Sequence, residues 1–179
     1  MALGVVSLAG TAVLNFLGLP GYLLFIATPY LALVAGYIMQ PVEKGINNHY
    51  LNDAKAKLAA RDDLIKIGIT GSFGKTSTKF VLAAILSEKF DVLATPSSFN
   101  TPMGLTRVIR EQLEPHHQVF IAEMGARHVG DIKELVDLVH PKYGMITSVG
   151  PQHLETFGNV STVANTKFEL IEGLPKDGV

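Results

Sequence analysis

One stretch of the sequence, residues 66–78, constrains the fold more than any other. It reads Lys-Ile-Gly-Ile-Thr-Gly-Ser-Phe-Gly-Lys-Thr-Ser-Thr, which is an apolar strand followed by a glycine turn and the start of a helix. In such a turn, backbone N–H groups converge on a phosphate at the positive end of the helix, while Lys75 adds a charge and Thr76 offers a hydroxyl to Mg²⁺. The stretch therefore predicts a site for a nucleoside triphosphate.

The glycine pattern of this turn is the compact form of a phosphate-binding loop. Ile69 stands where the longer form has its first glycine, so only Gly-x-x-Gly-Lys-Thr-Ser is present. A glycine turn between a strand and a helix can also be purely structural, but Gly-Lys-Thr-Ser at a helix start favours a phosphate site. ATP is the predicted cofactor. Its predicted binding residues are Thr70, Gly71, Ser72, Phe73, Gly74, Lys75, Thr76 and Ser77.

The front of the chain is strongly apolar. Residues 1–42 contain no charged residue, and the 47% apolar content and mean hydropathy of +0.29 are high for a soluble chain of 179 residues. Two apolar runs, Leu3–Leu17 and Tyr22–Met39, flank a Gly-Leu-Pro-Gly break, and the second run has the length of a membrane span. We expect residues 1–41 to form membrane-anchoring helices. A cleaved signal peptide and a buried pair of core helices are the alternatives.

The charges exclude some functions and suggest a location. A net charge of -1 offers no basic surface for nucleic acid, and the absence of cysteine excludes disulfides and thiolate metal sites. Basic residues follow the apolar front, which by the positive-inside rule predicts a place on the cytoplasmic face of a bacterial cell membrane. These residues are Lys44, Lys55, Lys57, Arg61 and Lys66. Residues 42–63 are predicted to be a helical linker, interpreted as a solvated amphipathic spacer.

From Leu64 onward the predicted strands and helices alternate. Strands are predicted over residues 64–70, 92–95, 118–123 and 143–149, and helices over 75–89, 104–113, 131–139 and 160–173. This alternation predicts an α/β fold in residues 64–179, with a P-loop-type parallel sheet and helices on both of its faces. Ligands of such sheets bind at the carboxyl ends of the strands, so the residues that follow each strand are the candidates for function.

For three side chains near these strand ends or in the last helix, a functional role has to be compared with a structural one. Glu123 ends an apolar strand, where a buried carboxylate needs a cation: Mg²⁺ is one candidate, and a salt bridge or helix cap is the alternative. His153 is equally compatible with a metal or phosphate contact and with an exposed loop position. Lys167 lies in the last predicted helix, where the residues alone indicate only a solvated side chain.

Several motifs in order resemble the central ATPase domain of the Mur ligases. The resemblance runs from about Lys66 to the end of the chain, through motifs at 69–77, 100–104, 123–126, 130–132, 150–155 and 166–170. Glu-Met-Gly-Ala followed by Gly-Asp-Ile is most similar to the members that add D-alanyl-D-alanine to UDP-muramoyl tripeptide in peptidoglycan synthesis. The resemblance implies an ATP-dependent ligase that forms an acyl phosphate, which the incoming amine then converts to an amide.

The same resemblance implies roles for individual residues. Lys75 would neutralise charge on the γ-phosphate, and Thr76 with Glu123 would hold one Mg²⁺. His153 and a carbamylated Lys167 would form a second metal site, which makes Lys75, His153 and Lys167 the implied catalytic residues. Asn100 and Thr101 fall in the family's substrate loop, although Ser98 and Thr101 replace asparagines that are usual there.

The sequence also departs from the family. The apolar front stands in place of the domain that binds the UDP-muramoyl substrate, and the chain stops before the rest of the ATPase sheet. We therefore expect a fragment that is inactive alone, with part of the apolar face of helix 160–173 uncovered. Two alternatives to the ligase stay open: a membrane-tethered nucleotide-binding protein that makes no amide, and a related ligase acting on folate or at another muramoyl step.

Overall fold

The computed structural model describes residues 22–97 and 99–179. Within this part of the chain the helices are α1 (Tyr22–Ala59), α2 (Lys75–Ser87), α3 (Pro102–Gln112), α4 (Asp131–Val139), α5 (Leu154–Phe157) and α6 (Val160–Glu172). The strands are β1 (Ile65–Thr70), β2 (Val92–Ala94), β3 (Val119–Glu123) and β4 (Tyr143–Ile146). Strands and helices alternate from β1 onward, as the sequence predicts.

The four strands form one parallel sheet in the order β2-β3-β1-β4. The central strand β1 pairs with β3 on one side and with β4 on the other, so that Ile69 lies opposite both Glu123 and Met145. Because all the strands run in the same direction, their carboxyl ends meet at one edge of the sheet. The predicted parallel sheet is confirmed, and the P-loop turn and Glu123 lie at that edge.

Helices cover both faces of the sheet, as predicted. On one face, apolar residues of α2 pack against Ile69, Val119 and Ile121. On the other, α3, α4 and α6 pack against Phe120 and Ala122. The approach of α6 is close, because a Cβ at Gly68 of β1 would lie 2.8 Å from the side chain of Leu170. A glycine in the middle of β1 therefore allows α6, which carries Lys167, to lie directly on the sheet.

The chain divides into two compact units, one ending at Ile46 and the other spanning Asn47–Val179. Helix α1 continues through this division, and its second half belongs to the larger unit. There Ala54 and Leu58 are buried in the same core cluster as Leu105 of α3. The interpretation of this stretch as a solvated spacer is therefore wrong for its second half, because one face of the helix packs in the core.

The predicted membrane segment is wrong. In the described ranges, 22–97 and 99–179, no helix combines the length and the apolar character needed to cross a bilayer. The run Tyr22–Met39 is the first half of a 38-residue helix, which contains two prolines and carries charged residues from Glu43 onward. The run Leu3–Leu17 lies outside the described residues. The membrane partner and the membrane-face location were inferred from this segment and lose their support with it.

Some element ends differ from the predicted ones for local reasons. Strand β4 ends at Ile146 rather than Val149 because Thr147 and Ser148 turn towards the P-loop, where both hydroxyls donate to the carbonyl of Phe73. Helix α3 begins at Pro102, two residues early, because the Thr101 hydroxyl caps it by accepting the N–H of Gly104. The short helix α5 lies within a segment predicted as a loop.

Candidate active site

The P-loop turn joins the end of β1 at Thr70 to the start of α2 at Lys75. Gly71 and Gly74 adopt φ angles of 150° and 82°, which are rare for residues with a side chain. A Cβ on Gly71 would also overlap the hydroxyl of Thr147. The turn thus depends on glycine, and it places its backbone at the N-terminus of a 13-residue helix, where the helix dipole favours an anion.

The loop after β4 fixes this turn from one side. The hydroxyl of the buried Ser72 donates to the carbonyl of Gly150 at 3.0 Å, and the N–H of Phe73 donates to the Ser148 hydroxyl at 2.8 Å. The N–H of Ser72 donates to the Ser148 carbonyl at 2.9 Å. These bonds hold Ser72 and Phe73 against the neighbouring loop, so the first half of the turn is shaped before any ligand arrives.

The ammonium of Lys75 folds back over the turn. It donates to the carbonyls of Gly71 at 2.6 Å and Ser72 at 3.3 Å. Burial lowers the pKa of Lys75, and the charge of Glu123 offsets part of that effect. A cation held by two neutral carbonyls in a partly buried place is well prepared to bind an anion, because neither carbonyl cancels its charge.

Glu123 is the centre of a buried polar network at the end of β3. Its Oε2 accepts hydrogen bonds from the Thr76 hydroxyl at 3.0 Å and from the Lys79 ammonium at 2.9 Å. Its Oε1 accepts from the side-chain amide of Asn100 at 3.3 Å, and its N–H donates to the Thr95 hydroxyl at 3.1 Å. Two side chains of α2 and one from the loop before α3 therefore converge on one carboxylate. The family resemblance pairs Thr76 with Glu123 and places Asn100 in a separate loop, and the fold brings all three together.

Sequence reasoning missed Lys79, although a signal for it exists. Lys79 is fully buried and lies one helical turn after Lys75, on the side of α2 that faces the sheet. A lysine on the apolar side of a helix needs a buried acid, and Glu123 is that acid: the two side chains are 0% and 2% exposed. The salt-bridge alternative for Glu123 is thus present beside its contact with Thr76.

Lys167 is buried rather than solvated. Only 2% of the residue is exposed, and within the described residues its ammonium has neither a hydrogen bond nor an ion pair. Burial, followed by repulsion from Lys75, lowers the pKa of Lys167 to about 8. The interpretation of Lys167 as a solvated helical lysine is wrong, because the face of α6 that carries it packs against the sheet.

His153 and the substrate-loop residues line a cavity that opens beside the P-loop. His153 precedes α5 with φ 51°, a strained value for this residue, so its placement is imposed by the surrounding fold. The cavity has a volume of about 470 Å³. Side chains of both signs line it, and they include Lys75, Asn100, Thr101, Arg127, Asp131 and His153.

Arg127 and His128 belong to a loop that Asp131 holds by accepting their backbone N–H groups at 2.7 and 2.8 Å. The Thr156 hydroxyl donates to the Arg127 carbonyl at 2.5 Å and ties this loop to α5. The sequence did not single out Arg127. Arg127 and Lys75 give the cavity two cationic side chains, which suit an anionic ligand.

The oxygen pair at Thr76 and Glu123 fits a magnesium ion. Adjacent ligands of an octahedral ion with bonds of 2.0–2.1 Å lie about 2.9 Å apart. The Thr76 hydroxyl and Glu123 Oε2 are 3.0 Å apart, and both are hard oxygen donors. Within the described residues no three His, Asp or Glu side chains cluster as a metal site, so other ligands would have to come from phosphates and water. Lys167 cannot ligate a metal while it is an ammonium.

The chain is similar in sequence to known proteins. The Mur ligase middle domain family matches residues 69–179. The chain is 42% identical over 113 residues to the UDP-N-acetylmuramoyl-tripeptide--D-alanyl-D-alanine ligase of Mycobacterium tuberculosis H37Rv, covering 63% of this chain and 22% of that one. The ligase of the same name from Escherichia coli K12 is 36% identical, with 63% and 25% covered.

Solved structures of MurF enzymes share the fold. MurF from Acinetobacter baumannii superposes with a TM-score of 0.70 at 30% identity, covering 74% of this chain and 29% of that one. MurF from Thermotoga maritima in complex with ADP gives 0.68 at 32% identity, covering 73% and 30%. The chain spans about a quarter of the length of the curated relatives named here, which are 22% and 25% covered. From its P-loop strand to Val179, the chain belongs to the Mur ligase middle domain family.

Proposed function

We propose that this protein acts in an ATP-dependent ligase that adds D-alanyl-D-alanine to a UDP-muramoyl tripeptide in peptidoglycan precursor synthesis. One observation carries the proposal: Thr76, Lys79 and Asn100 converge on Glu123. They do so beside a P-loop whose Lys75 donates its hydrogen bonds to neutral carbonyls. The relatives named above bear this activity in their names. In this proposal residues 64–179 form the ATP-binding domain.

ATP binds with its phosphates on the turn between β1 and α2. Backbone N–H groups at the start of α2 and the ammonium of Lys75 attract the phosphate oxygens. The ADP in the Thermotoga maritima complex supports a nucleotide for this family. The residues assigned to the nucleotide are Thr70, Gly71, Ser72, Phe73, Gly74, Lys75, Thr76 and Ser77.

Thr76 and Glu123 would hold one Mg²⁺ against the phosphates. When bound, the ion neutralises charge that develops on the transferred phosphoryl group. Lys75 contributes to the same end from the other side of the turn, because its carbonyl contacts leave its charge available. None of these three residues needs to move a proton in this step.

Lys167 and His153 are assigned to a second cation site. A buried lysine with a pKa of about 8 is partly a neutral amine near neutral pH, and only the neutral amine attacks carbon dioxide. The product is a carbamate, formed with release of one proton, and it replaces a buried cation by an oxygen ligand. The lack of an acceptor for the Lys167 ammonium in the described residues supports this assignment.

The acyl substrate lies in the cavity beside the P-loop, near Asn100 and Thr101. Its carboxylate oxygen attacks the γ-phosphorus, and the bond to the ADP oxygen breaks. The free amine of D-alanyl-D-alanine then attacks the acyl carbon, an amide forms, and inorganic phosphate leaves with the electron pair of the broken C–O bond and takes up the proton that the amine loses. The cationic lining from Lys75 and Arg127 offsets the negative charge that both substrates bring.

The test is phosphate release by the full-length protein with Mg²⁺ and ATP, with UDP-muramoyl tripeptide present and D-alanyl-D-alanine added or withheld. We expect sustained release only with both substrates. ATP binding without substrate-dependent release would favour a nucleotide-binding protein that makes no amide. Release with a different amine would indicate another ligase of the family. Lys167→Ala and His153→Ala should each abolish ligation while leaving ADP binding intact.

A further inference from the structure

A buried cation that the proposed reaction does not use lies beside the nucleotide site. Lys79 is 0% exposed, and its ammonium donates to Glu123 Oε2 at 2.9 Å and to the carbonyl of Ser97 at 2.6 Å. An ammonium in such a place is stable only with a charged partner, and within the described residues Glu123 is the acid paired with it. The same carboxylate is the one assigned to Mg²⁺.

The carboxylate of Glu123 already accepts three side-chain hydrogen bonds before any ligand binds. Oε2 accepts from both Thr76 and Lys79, and Oε1 accepts from Asn100. A divalent cation at Oε2 would have to displace at least one of these donors. It would also lie within a few ångströms of the Lys79 ammonium, and two like charges at that distance in a buried place repel strongly. Without phosphates, the site therefore has a low affinity for a metal ion.

We infer that Lys79 is a positioning residue that serves as the internal cation of the nucleotide site. Its positive charge balances the negative charge of Glu123 when no nucleotide is bound. A divalent cation therefore binds only together with phosphates, which bring further negative charge. The inference rests on the proposed nucleotide site. With phosphates present, carboxylate and phosphate charges together accommodate both the ammonium and the metal.

The bond to Ser97 gives Lys79 a second positioning contact. Ser97 has φ 43°, a left-handed conformation that is costly for a residue other than glycine. Its carbonyl accepts the shorter of the two Lys79 hydrogen bonds. Lys79 thus orients the carboxylate and also fixes the backbone at Ser97. If a metal displaced Lys79 from Glu123, the ammonium would still be held by the Ser97 carbonyl and would not have to leave the site.

The test measures binding of Mn²⁺ to nucleotide-free protein, with free Mn²⁺ followed by electron paramagnetic resonance. Lys79→Gln and Lys79→Met remove the charge, so Glu123 becomes an uncompensated buried carboxylate. We expect both variants to bind Mn²⁺ about tenfold more tightly than the wild type, within the usual range of coupling between adjacent sites. Lys79→Arg keeps the charge and should bind Mn²⁺ as the wild type does. Lys89→Met, which removes an exposed charge outside the network, is the matched control.

A gain of binding separates this role from a structural one, because a damaged site loses affinity rather than gaining it. Unchanged Mn²⁺ affinity in folded Lys79→Gln would overturn the inference. If neither neutral variant folds, the wild type is compared with Thr76→Val, which removes a metal ligand and leaves the ion pair in place. Without nucleotide the two should bind Mn²⁺ alike, and a site present only in the wild type would refute the inference. ADP binding, measured separately by calorimetry, reports on the proposed function itself.

Discussion

Three lysines and one glutamate set the charge of the site. Lys79 and Glu123 neutralise each other at 2.9 Å, which leaves Lys75 and Lys167 as cations without a carboxylate of their own in the described part of the chain. The two remaining ammonium groups repel, and this repulsion contributes to the lowered pKa of Lys167. The excess of positive charge is what a site for a triphosphate requires, and it makes the free site less stable than a neutral one.

Lys167 should therefore lower the stability of the protein near neutral pH. Its pKa is about 8 in the folded protein and near 10.5 in the unfolded chain, so between these values the unfolded chain binds more protons. The free energy of unfolding of the wild type should rise with pH across this window relative to Lys167→Met. Urea unfolding at pH 7.5, 8.5 and 9.5 in CO₂-free buffer measures the difference. Parallel profiles would contradict it, and Lys133→Met, at an exposed position, is the control.

The two left-handed glycines of the P-loop should differ in what they tolerate. At Gly74 a Cβ meets nothing closer than 4.0 Å, so Gly74→Ala costs only the backbone strain, about 1–2 kcal/mol. At Gly71 the Cβ would also overlap Thr147, so Gly71→Ala should cost more and should disturb the turn itself. Urea unfolding and ADP titration of both variants provide the comparison. Equal losses of stability and affinity would show that the overlap with Thr147 relaxes freely.

The separate parts of the site follow from sequence to different degrees. Glu123 was predictable because it ends a strand, and Thr76 because it follows the glycine turn after another strand; parallel strands end at the same edge. Lys79 was missed because α2 is apolar on both sides, with Phe80, Val81 and Ile85 more than half exposed, so periodicity does not mark its buried face. Lys167 received a role only through family resemblance, since a helical lysine carries no local sign of burial. The catalytic and ligand roles of these residues stay predictions.

At the scale of elements, sequence reasoning misjudged the second half of α1 as solvated. Residues 42–63 were predicted to be helical, but nothing local distinguishes a solvated amphipathic face from one that packs on α3. The structure adds polar links to this packing: Arg110 of α3 contacts Asp53 at 2.6 Å and lies 4.2 Å from the ring centre of Tyr50. This part of α1 acts as a component of the domain core.

Leu58→Ala should accordingly destabilise the domain. Leu58 is 2% exposed, and removing such a side chain leaves a cavity that costs about 2–5 kcal/mol. Ile46→Ala in the same helix, at a residue that is 49% exposed, should change stability by less than about 0.5 kcal/mol. Urea unfolding of the two variants tests the contrast. A small effect of Leu58→Ala would mean that α1 packs only loosely on the core.

The apolar front shows where hydropathy alone misleads about an element. The Tyr22–Met39 run was judged as a separate segment, whereas the helix that contains it continues to Ala59 through Pro41 and the charged residues beyond. Helix ends are set by capping and packing, which a window of hydropathy does not contain. The type of secondary structure was predictable here, and the extent of the helix was not.

At the scale of the whole molecule, an apolar stripe of α6 is exposed. Phe168 and Ile171 are 50% and 40% exposed, while Lys167 and Leu170 on the other side of the helix are buried. Exposed apolar patches of this kind promote association. We expect the 179-residue chain to associate with rising concentration, and the double variant Phe168→Ser, Ile171→Ser to associate less. Size-exclusion chromatography with light scattering measures this, with Val129→Ser as the control for an isolated exposed side chain.

Two outcomes would contradict this prediction. If the wild-type chain stays monomeric across the concentrations tested, or if the double variant associates as strongly as the wild type, the stripe has no such role. Because both substituted side chains point away from the buried face of α6, circular dichroism should show the fold unchanged.

The central place of β1 in the sheet has a consequence for how the protein is made. This strand is the first of the four to be synthesised, yet its two partners, β3 and β4, come later in the chain. While the ribosome is still adding them, the P-loop strand has no neighbour and its apolar residues are exposed to other nascent chains. Long-range parallel pairing of this kind also slows folding. The nucleotide binding that we propose should thus appear late, only after β4 and its loop have left the ribosome.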